Sequence, residues 1–445
     1  MVKTLRNIAV CLILLATLES RAQHDTCRVA LMVPLYLEQV NQEFYDSEPS
    51  NKTLLTKPFS FLHFYEGFMI AADSMTSSRG MILDLKVYDV DNDVKKADSA
   101  VADPWLETAD MIVGPFYLKA FEVVKQFAYW HDIAIINPIT LRSNIVDSCC
   151  NVIKVKPSAE GQLAPLDSLM KHYYHDNNVF IIKENWKIDY DLISKITEIA
   201  ERNIDSCTVI PNRQIVDVIK KHHKRCKIMK LDFDESDYRT DSMSFDISVL
   251  KKSIDDSTVL LNRVVNINYE YDSLNLVPDF ASTLRNNLFI VYGNDKVFAN
   301  EIVNKVTKLT ENYPVTVIML PDWSKFGGLF NDNLMKMKAI YFDGNYIEYG
   351  NIKVESFICK FRTRYNTEPT DYAFDGFDIG WYFLNALDLY GKEMIEHLPG
   401  YRIPLLHTDF DFQRKDDNSG LENNFWNVYQ FKGYNKVILK TDDEK

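Results

Sequence analysis

"DMIVGPFYLKAFEVV" (residues 110–124) is the stretch that decides the fold. "MIVG" is apolar on consecutive positions, as a strand buried on both faces of a parallel sheet should be. Gly114 and Pro115 then turn the chain, and "LKAFEVV" resumes with a helical period. A strand that runs through such a turn into a helix aims backbone N–H groups at whatever sits above the turn. The stretch therefore predicts an α/β unit with a ligand-facing edge.

The same alternation recurs along the chain. Short apolar runs stand at 28–34, 82–90, 110–115, 133–138, 178–185, 227–233, 287–294, 315–321 and 339–344. Helical periods lie between them, at 94–107, 117–130, 160–175, 189–203, 212–225, 295–312, 353–366 and 371–391. "SFLHFYEGFMIAADSM" places Phe61, Phe64, Tyr65, Phe68 and Ala72 on one stripe. Strand–helix alternation of this kind builds right-handed βαβ units. The strands are too many for one open sheet, so two sheets are expected. "FWNVYQFKGYNKVIL" (425–439) alternates about a Lys-Gly turn and predicts a terminal hairpin. The polar, acidic stretch within 234–286 interrupts the rhythm and reads as an elaboration of the second sheet.

The start of the chain sets the expected compartment. "MVKTLRN" is basic, "IAVCLILLATL" is apolar, and Ser20 and Ala22 are small at −3 and −1 of a cleavage point. Residues 1–22 read as a cleavable secretory signal, too short to span a bilayer. Cys11 follows the bulky Val10, a poor lipobox, so no lipid anchor is expected. Cleavage removes Lys3, Arg6, Arg21 and Glu19 and takes the net charge from −13 to −15. Charge of that sign disfavours nucleic acid and anionic lipid as partners, and no later run is apolar enough for a membrane span. Six cysteines remain, compatible with one or two disulfides whose pairing is left open.

Motifs for chemistry are missing. Gly-x-Gly-x-x-Gly, Walker A, Gly-x-Ser-x-Gly, His-Glu-x-x-His and Cys-x-x-Cys do not occur. No enzyme, no cofactor and no metal is expected. Asp89, Asp91 and Asp93 begin like a calcium loop, but Val94 and Ala100 stand where Gly and Glu are required. Asp93 reads instead as a helix cap. "KKHHKRCK" (220–227) reads as a solvated basic helix end rather than a metal site.

The strand ends are more informative. Tyr36 follows the first run, Phe116 and Tyr117 the third, Trp186 "IIKEN", Trp323 "MLPD" and Tyr346 "FDGN". Ligands of open α/β sheets bind outside the carboxyl ends of the strands. Each ring alone could plug its own sheet edge; six in equivalent places predict a shared aromatic crevice.

Taken with "VALMVPL", "HFYEGFMIAADSM", "LKVYDVDND", "IAIINPIT", "KFRTRYNTEPTDYAFDGFDIGWYFLNAL" and "TDFDFQRKDDNSGLENNFWNVYQF", the chain resembles the type I periplasmic binding proteins, the branched-chain amino-acid receptors of ABC transporters. It is similar to a cell-envelope branch in which this domain sometimes follows LysM modules. The resemblance implies two Rossmann-like lobes with parallel sheets, joined by three crossovers and closing on a small-molecule ligand. Mapped here, lobe one is 27–140 plus 313–398 and lobe two is 141–312 plus 399–440. An ABC permease would be the membrane partner. The same fold resembles activators of peptidoglycan synthases, which implies a cell-wall synthesis protein as the alternative partner, and both place the protein in the periplasm.

The ligand residues that the resemblance implies carry over unevenly. The turn after the third strand should supply a Ser for a ligand α-carboxylate; beside Gly114 this chain has Leu118 there. The next loop offers Asn137 and Thr140, although Leu141 aligns best with the expected Thr. Asp322 matches the acid that holds an α-ammonium, and Trp186 or Tyr190 the aromatic residue of lobe two. Loss of one charged hydrogen bond costs about 1.5–3 kcal/mol, which speaks against a free amino acid as ligand.

Overall fold

The computed structural model describes residues 26–39, 59–185, 189–211, 249–254, 257–270, 273–321, 323, 326, 331–432 and 435–439. The signal segment, the run at 227–233, the helical period at 212–225, the basic stretch at 220–227, Trp186 and Asp322 lie outside the described residues.

Two units divide the chain. The first comprises Met1–Ser158 and Tyr346–Phe425, the second Ala159–Asn345 and Trp426–Lys445. The chain thus passes from one unit to the other three times, and the architecture is two α/β lobes.

In the first unit the strands are β1 (Cys27–Val33), β2 (Leu83–Asp89), β3 (Met111–Val113), β4 (Ala134–Asn137) and β5 (Val152–Lys154). They pair in parallel in the order β2-β1-β3-β4-β5. Residues 28–33 are apolar after Arg28 and fully buried from Val29 on, because helices cover both faces. Those helices are α1 (Leu62–Arg79), α2 (Val94–Val101) and α3 (Leu118–Trp130). One core joins β1 and β3 to Phe64, Phe68 and Phe383, and the other joins them to Phe121, Val124 and Ala128 of α3.

The second unit repeats the plan. Its helices α4 (Leu163–Tyr173), α5 (Tyr190–Asn203), α6 (Lys296–Leu309) and α7 (Asn331–Lys336) flank a sheet of seven strands. That sheet uses β6 (Asn178–Lys183), β10 (Val264–Asn268), β11 (Asn287–Tyr292), β12 (Val315–Leu320) and β13 (Ile340–Asp343) in the order β10-β6-β11-β12-β13. The predicted hairpin, β16 (Asn427–Lys432) and β17 (Asn435–Ile438), adds antiparallel to β13. In the stretch read as an elaboration, β8 (Val249–Ile254) and β9 (Ser257–Leu261) pair with β7 (Cys207–Pro211) in a separate three-stranded sheet.

The domain limits differ from those read in the sequence. The sequence places residues 313–345 in lobe one, but β12 pairs with β11 and β13 with β12, which puts both in the second unit. Conversely 141–158 and 399–425 belong to the first unit. There β5 extends the sheet beside β4, and β15 (Leu421–Asn423) pairs with β5 and carries β14 (Phe412–Arg414). Two long helices also belong to this unit, α8 (Ile352–Tyr365) and α9 (Asp371–Tyr390), the latter packed along α1.

Candidate functional site

The strand order of the first unit reverses between β1 and β3, and such switch points are where open α/β sheets leave a crevice. The residues that leave these two strands meet. Tyr36, after β1, sits at a left-handed φ of 52°. Its hydroxyl donates to the Tyr117 hydroxyl at 3.0 Å. Burial first, then that hydrogen bond, pushes the Tyr36 hydroxyl pKa well above its ordinary value.

Each partner is held by a local device. The amides of Leu35, Tyr36 and Leu37 all donate to the Asp89 carboxylate at 2.8–2.9 Å. Lys96 in turn pairs with Asp89 and Asp91, at 3.3 and 2.9 Å. An ammonium therefore occupies the place where the calcium-like spacing would put an ion, and Asp93 caps α2 by accepting from Lys95 N–H. No cluster suited to a metal occurs among the described residues.

On the β3 side, Gly114 has φ 94°, and a Cβ there would lie 2.2 Å from the Met32 carbonyl oxygen. Only glycine fits this turn. Tyr117 then begins α3 in extended conformation, and no side chain caps the helix. The fully buried Asn137 locks the turn to the next loop. Its amide donates to Pro115 O at 3.2 Å, and its carbonyl accepts from Ile139 and Thr140 N–H. Thr140 is buried, and its hydroxyl accepts from Arg142 N–H.

The aromatic residues read as one crevice separate into classes. Phe116 is 1% exposed and packs edge-on against Phe61 and Phe64, at centroid distances of 4.9 and 4.8 Å. Trp323 is 2% exposed, and its indole N–H is shared by the Gly293 and Leu320 carbonyls. Both rings seal their own sheet edges, because the cores beneath them are aromatic and the indole donor finds its acceptors locally. Leu118 turns into the core of α3 and so presents no wall above the turn. Tyr190, by contrast, is 71% exposed on the first turn of α5, with Lys183 5.7 Å from its ring. Tyr346 is half-buried in the first unit, where its N–H donates to His407 O at 2.6 Å.

The face that does form includes residues that the strand ends do not reveal. Phe61 joins Tyr117 at 6.2 Å and Tyr372 at 4.9 Å, and Tyr372 is 38% exposed. Burial, followed by the charges of Asp375 and its neighbours, raises the Tyr372 hydroxyl pKa. Behind Tyr372 runs a row of buried charges. Lys156 pairs with Asp375 at 2.6 Å, and His407 bridges Asp375 at 3.1 Å and Asp378 at 2.5 Å. Burial pushes the His407 imidazole down, but the Asp378 and Asp375 carboxylates outweigh it and raise it to about 9. For Asp375, burial pushes up while the Lys156 ammonium and His407 hold the carboxyl at about 2. One signal for this row was available: Asp375 and Asp378 stand three apart within the apolar run of α9, on its buried side.

No protein-family model matches the sequence, and no curated protein matches it. Solved structures do. A putative branched-chain amino acid ABC transporter protein from Rhodospirillum rubrum superposes with a TM-score of 0.59 at 9% identity, covering 93% of this chain and all of its own. An ABC transporter substrate-binding protein from Desulfitobacterium hafniense in complex with Leu gives 0.51 at 11% identity, over 93% and 100% of the two chains. The fold is that of the type I periplasmic binding proteins. Full-length LpoA from Haemophilus influenzae also matches, with a TM-score of 0.50 and 12% identity, over 95% of this chain and 60% of LpoA. Within the type I periplasmic binding fold, then, this chain carries a tyrosine pair at its first switch point. No helix among the described residues is long and apolar enough to cross a membrane.

Proposed function

We propose that this chain is an exported, non-enzymatic solute-binding protein whose ligand is small, partly apolar and uncharged. The observation that carries the reading is the face formed by Tyr36, Tyr117, Phe61 and Tyr372 at the strand ends of the first unit. It offers the rings of Tyr117 and Tyr372 for stacking, with three tyrosine hydroxyls in the face. The nearest charges compensate one another, since Lys156 is answered by Asp375 and His407 by Asp378. A ligand carboxylate would find no serine or threonine hydroxyl at the head of α3, where Tyr117 and Leu118 stand. The match to substrate-binding proteins of ABC transporters supports the class of function, and a permease would then be the partner.

Thermal-shift screening of metabolite pools tests the reading. A ligand pool should raise the melting temperature of the wild type, and Tyr117→Ala with Tyr372→Ala should abolish the shift. If no pool stabilises the protein, or the shift survives both substitutions, the proposed face is not the site.

A second reading, a cell-envelope interaction protein with a cell-wall synthesis protein as partner, draws on the match to LpoA. Pull-down from an envelope extract with the intact chain and with one lacking residues 234–275 tests it. Capture that is unchanged by the deletion would exclude that segment as the contact.

A further inference from the structure

Helix α8 carries four cations on its outward turns, and they are treated in two ways. Arg362 makes a two-point contact with Glu368, at 2.8 and 2.9 Å, and Arg364 pairs with Asp73. Lys353 and Lys360 are exposed, and neither side chain forms an ion pair among the described residues.

These two lysines line a groove of 380 Å³ between α8, α9 and the segment that carries Leu406. Its floor is apolar. Phe377 and Trp381 stack one helical turn apart, with centroids 6.1 Å apart and rings inclined by 7°. Ile352 stands at one end, 75% exposed. The guanidinium of Arg79 lies 5.7 Å from the Trp381 ring, and no carboxylate lines the groove. An aromatic trough edged by unanswered cations is unusual on a chain with a net charge of −13, and its sign selects its occupant.

We propose that this groove docks an acidic peptide segment of a partner protein, one that alternates carboxylates with large apolar side chains. An apolar side chain seats on Phe377 and Trp381, and flanking carboxylates answer Lys353 and Lys360. The proposal stands apart from the solute face, which involves neither lysine.

The test uses the full chain and a short dye-labelled peptide alternating Glu with Leu and Phe, followed by fluorescence anisotropy. The same peptide with Gln in place of Glu is the control. Binding of the Glu peptide should exceed that of the Gln peptide and weaken as salt is added. The double variant Lys353→Glu, Lys360→Glu should bind at least about tenfold more weakly. Lys353→Gln with Lys360→Gln, equally exposed, should keep the wild-type melting temperature and still lose affinity. Three results overturn the proposal. They are no binding of the Glu peptide, equal binding of the two peptides or of wild type and charge-reversed chain, and self-association in sedimentation that Ile352→Asp disperses, which makes a second copy the occupant.

Discussion

The two switch points of the molecule are built alike up to one residue and then diverge. In each unit the third strand in the sheet order ends on a glycine whose N–H donates to the last carbonyl region of the fourth. Gly114 bonds Ile136 O at 2.8 Å and Gly293 bonds Leu320 O at 3.0 Å. Beyond the glycine, the second unit fills its own turn. The Glu184 carboxylate, leaving β6, accepts from Asn294 and Asp295 N–H at 2.8 and 3.2 Å, and Asp295 caps α6. Among the described residues the first unit supplies no such carboxylate to the turn after β3, and its helix begins uncapped beside two tyrosine hydroxyls. One scaffold thus has its amides answered from within, and the other keeps a polar aromatic face. This is why the solute face is proposed in the first unit.

Replacing each glycine with alanine should widen that contrast most. At Gly114 the new Cβ meets the Met32 backbone, and the residue must keep φ 94°. Steric strain and overpacking together cost about 3 kcal/mol or more. At Gly293 the obstacle is the Phe298 ring and the Glu184 side chain rather than backbone, and φ is not in the left-handed region. A cost of about 1–2 kcal/mol is expected there. Urea unfolding of the two variants measures the difference, and equal midpoints would show that the turns are interchangeable.

Glu184→Ala comes next. It leaves the 294 and 295 amides without their charged acceptor, at a cost of about 1.5–3 kcal/mol for hydrogen bonds to a charged group. Hydrogen–deuterium exchange should quicken at the start of α6 and stay unchanged at Leu118–Trp130. Faster exchange in α3 would mean that the carboxylate does not act locally.

The first unit also carries the row of charges behind Tyr372, and that row titrates. The His407 pKa is raised from 6.5 to about 9, so its contribution is complete below 6.5 and is lost as pH rises through about 9. The Asp375 pKa is lowered from 3.8 to about 2, so its contribution is present above 3.8 and is lost as pH falls through about 2. Exchange measured across the alkaline range should therefore loosen α9 while β6 and β11 stay protected. His407→Gln should remove the alkaline limb. A limb that persists in the variant would assign it to another group.

Much of this was written in local sequence. Consecutive apolar runs such as "MIVG" and "NLFIVYGN" mark strands because both faces are covered, and the alternation around Lys432 and Gly433 marks the hairpin. The lobe limits were not legible. Residues 315–321 announce a strand but not its partner, and the choice of β11 is a nonlocal matter. Short strands such as Val152–Lys154 carry too few residues to show a period. At the site, Tyr36 and Tyr117 could be found because they flank strand ends. Tyr372 could not, because it reaches them through Phe61 from a helix hundreds of residues away. Phe116 and Trp323 looked equivalent to the two tyrosines, since spacing does not distinguish a ring above a sheet edge from one plugging it.

The smallest expected effect tests the tyrosine pair itself. Tyr36→Phe removes the donor of one hydroxyl–hydroxyl bond while keeping the ring, and costs about 0.5–1.5 kcal/mol. Tyr117→Phe removes the acceptor of the same bond and should cost a similar amount. If the bond between the two hydroxyls is what holds them, the double variant loses no more than Tyr36→Phe alone, and a double-mutant cycle in urea reads the coupling. Additive losses would mean that each hydroxyl is held by something other than its partner. The tyrosines would then be two separate plugs, like Phe116 and Trp323, and the contrast between the two switch points would rest on Glu184 alone.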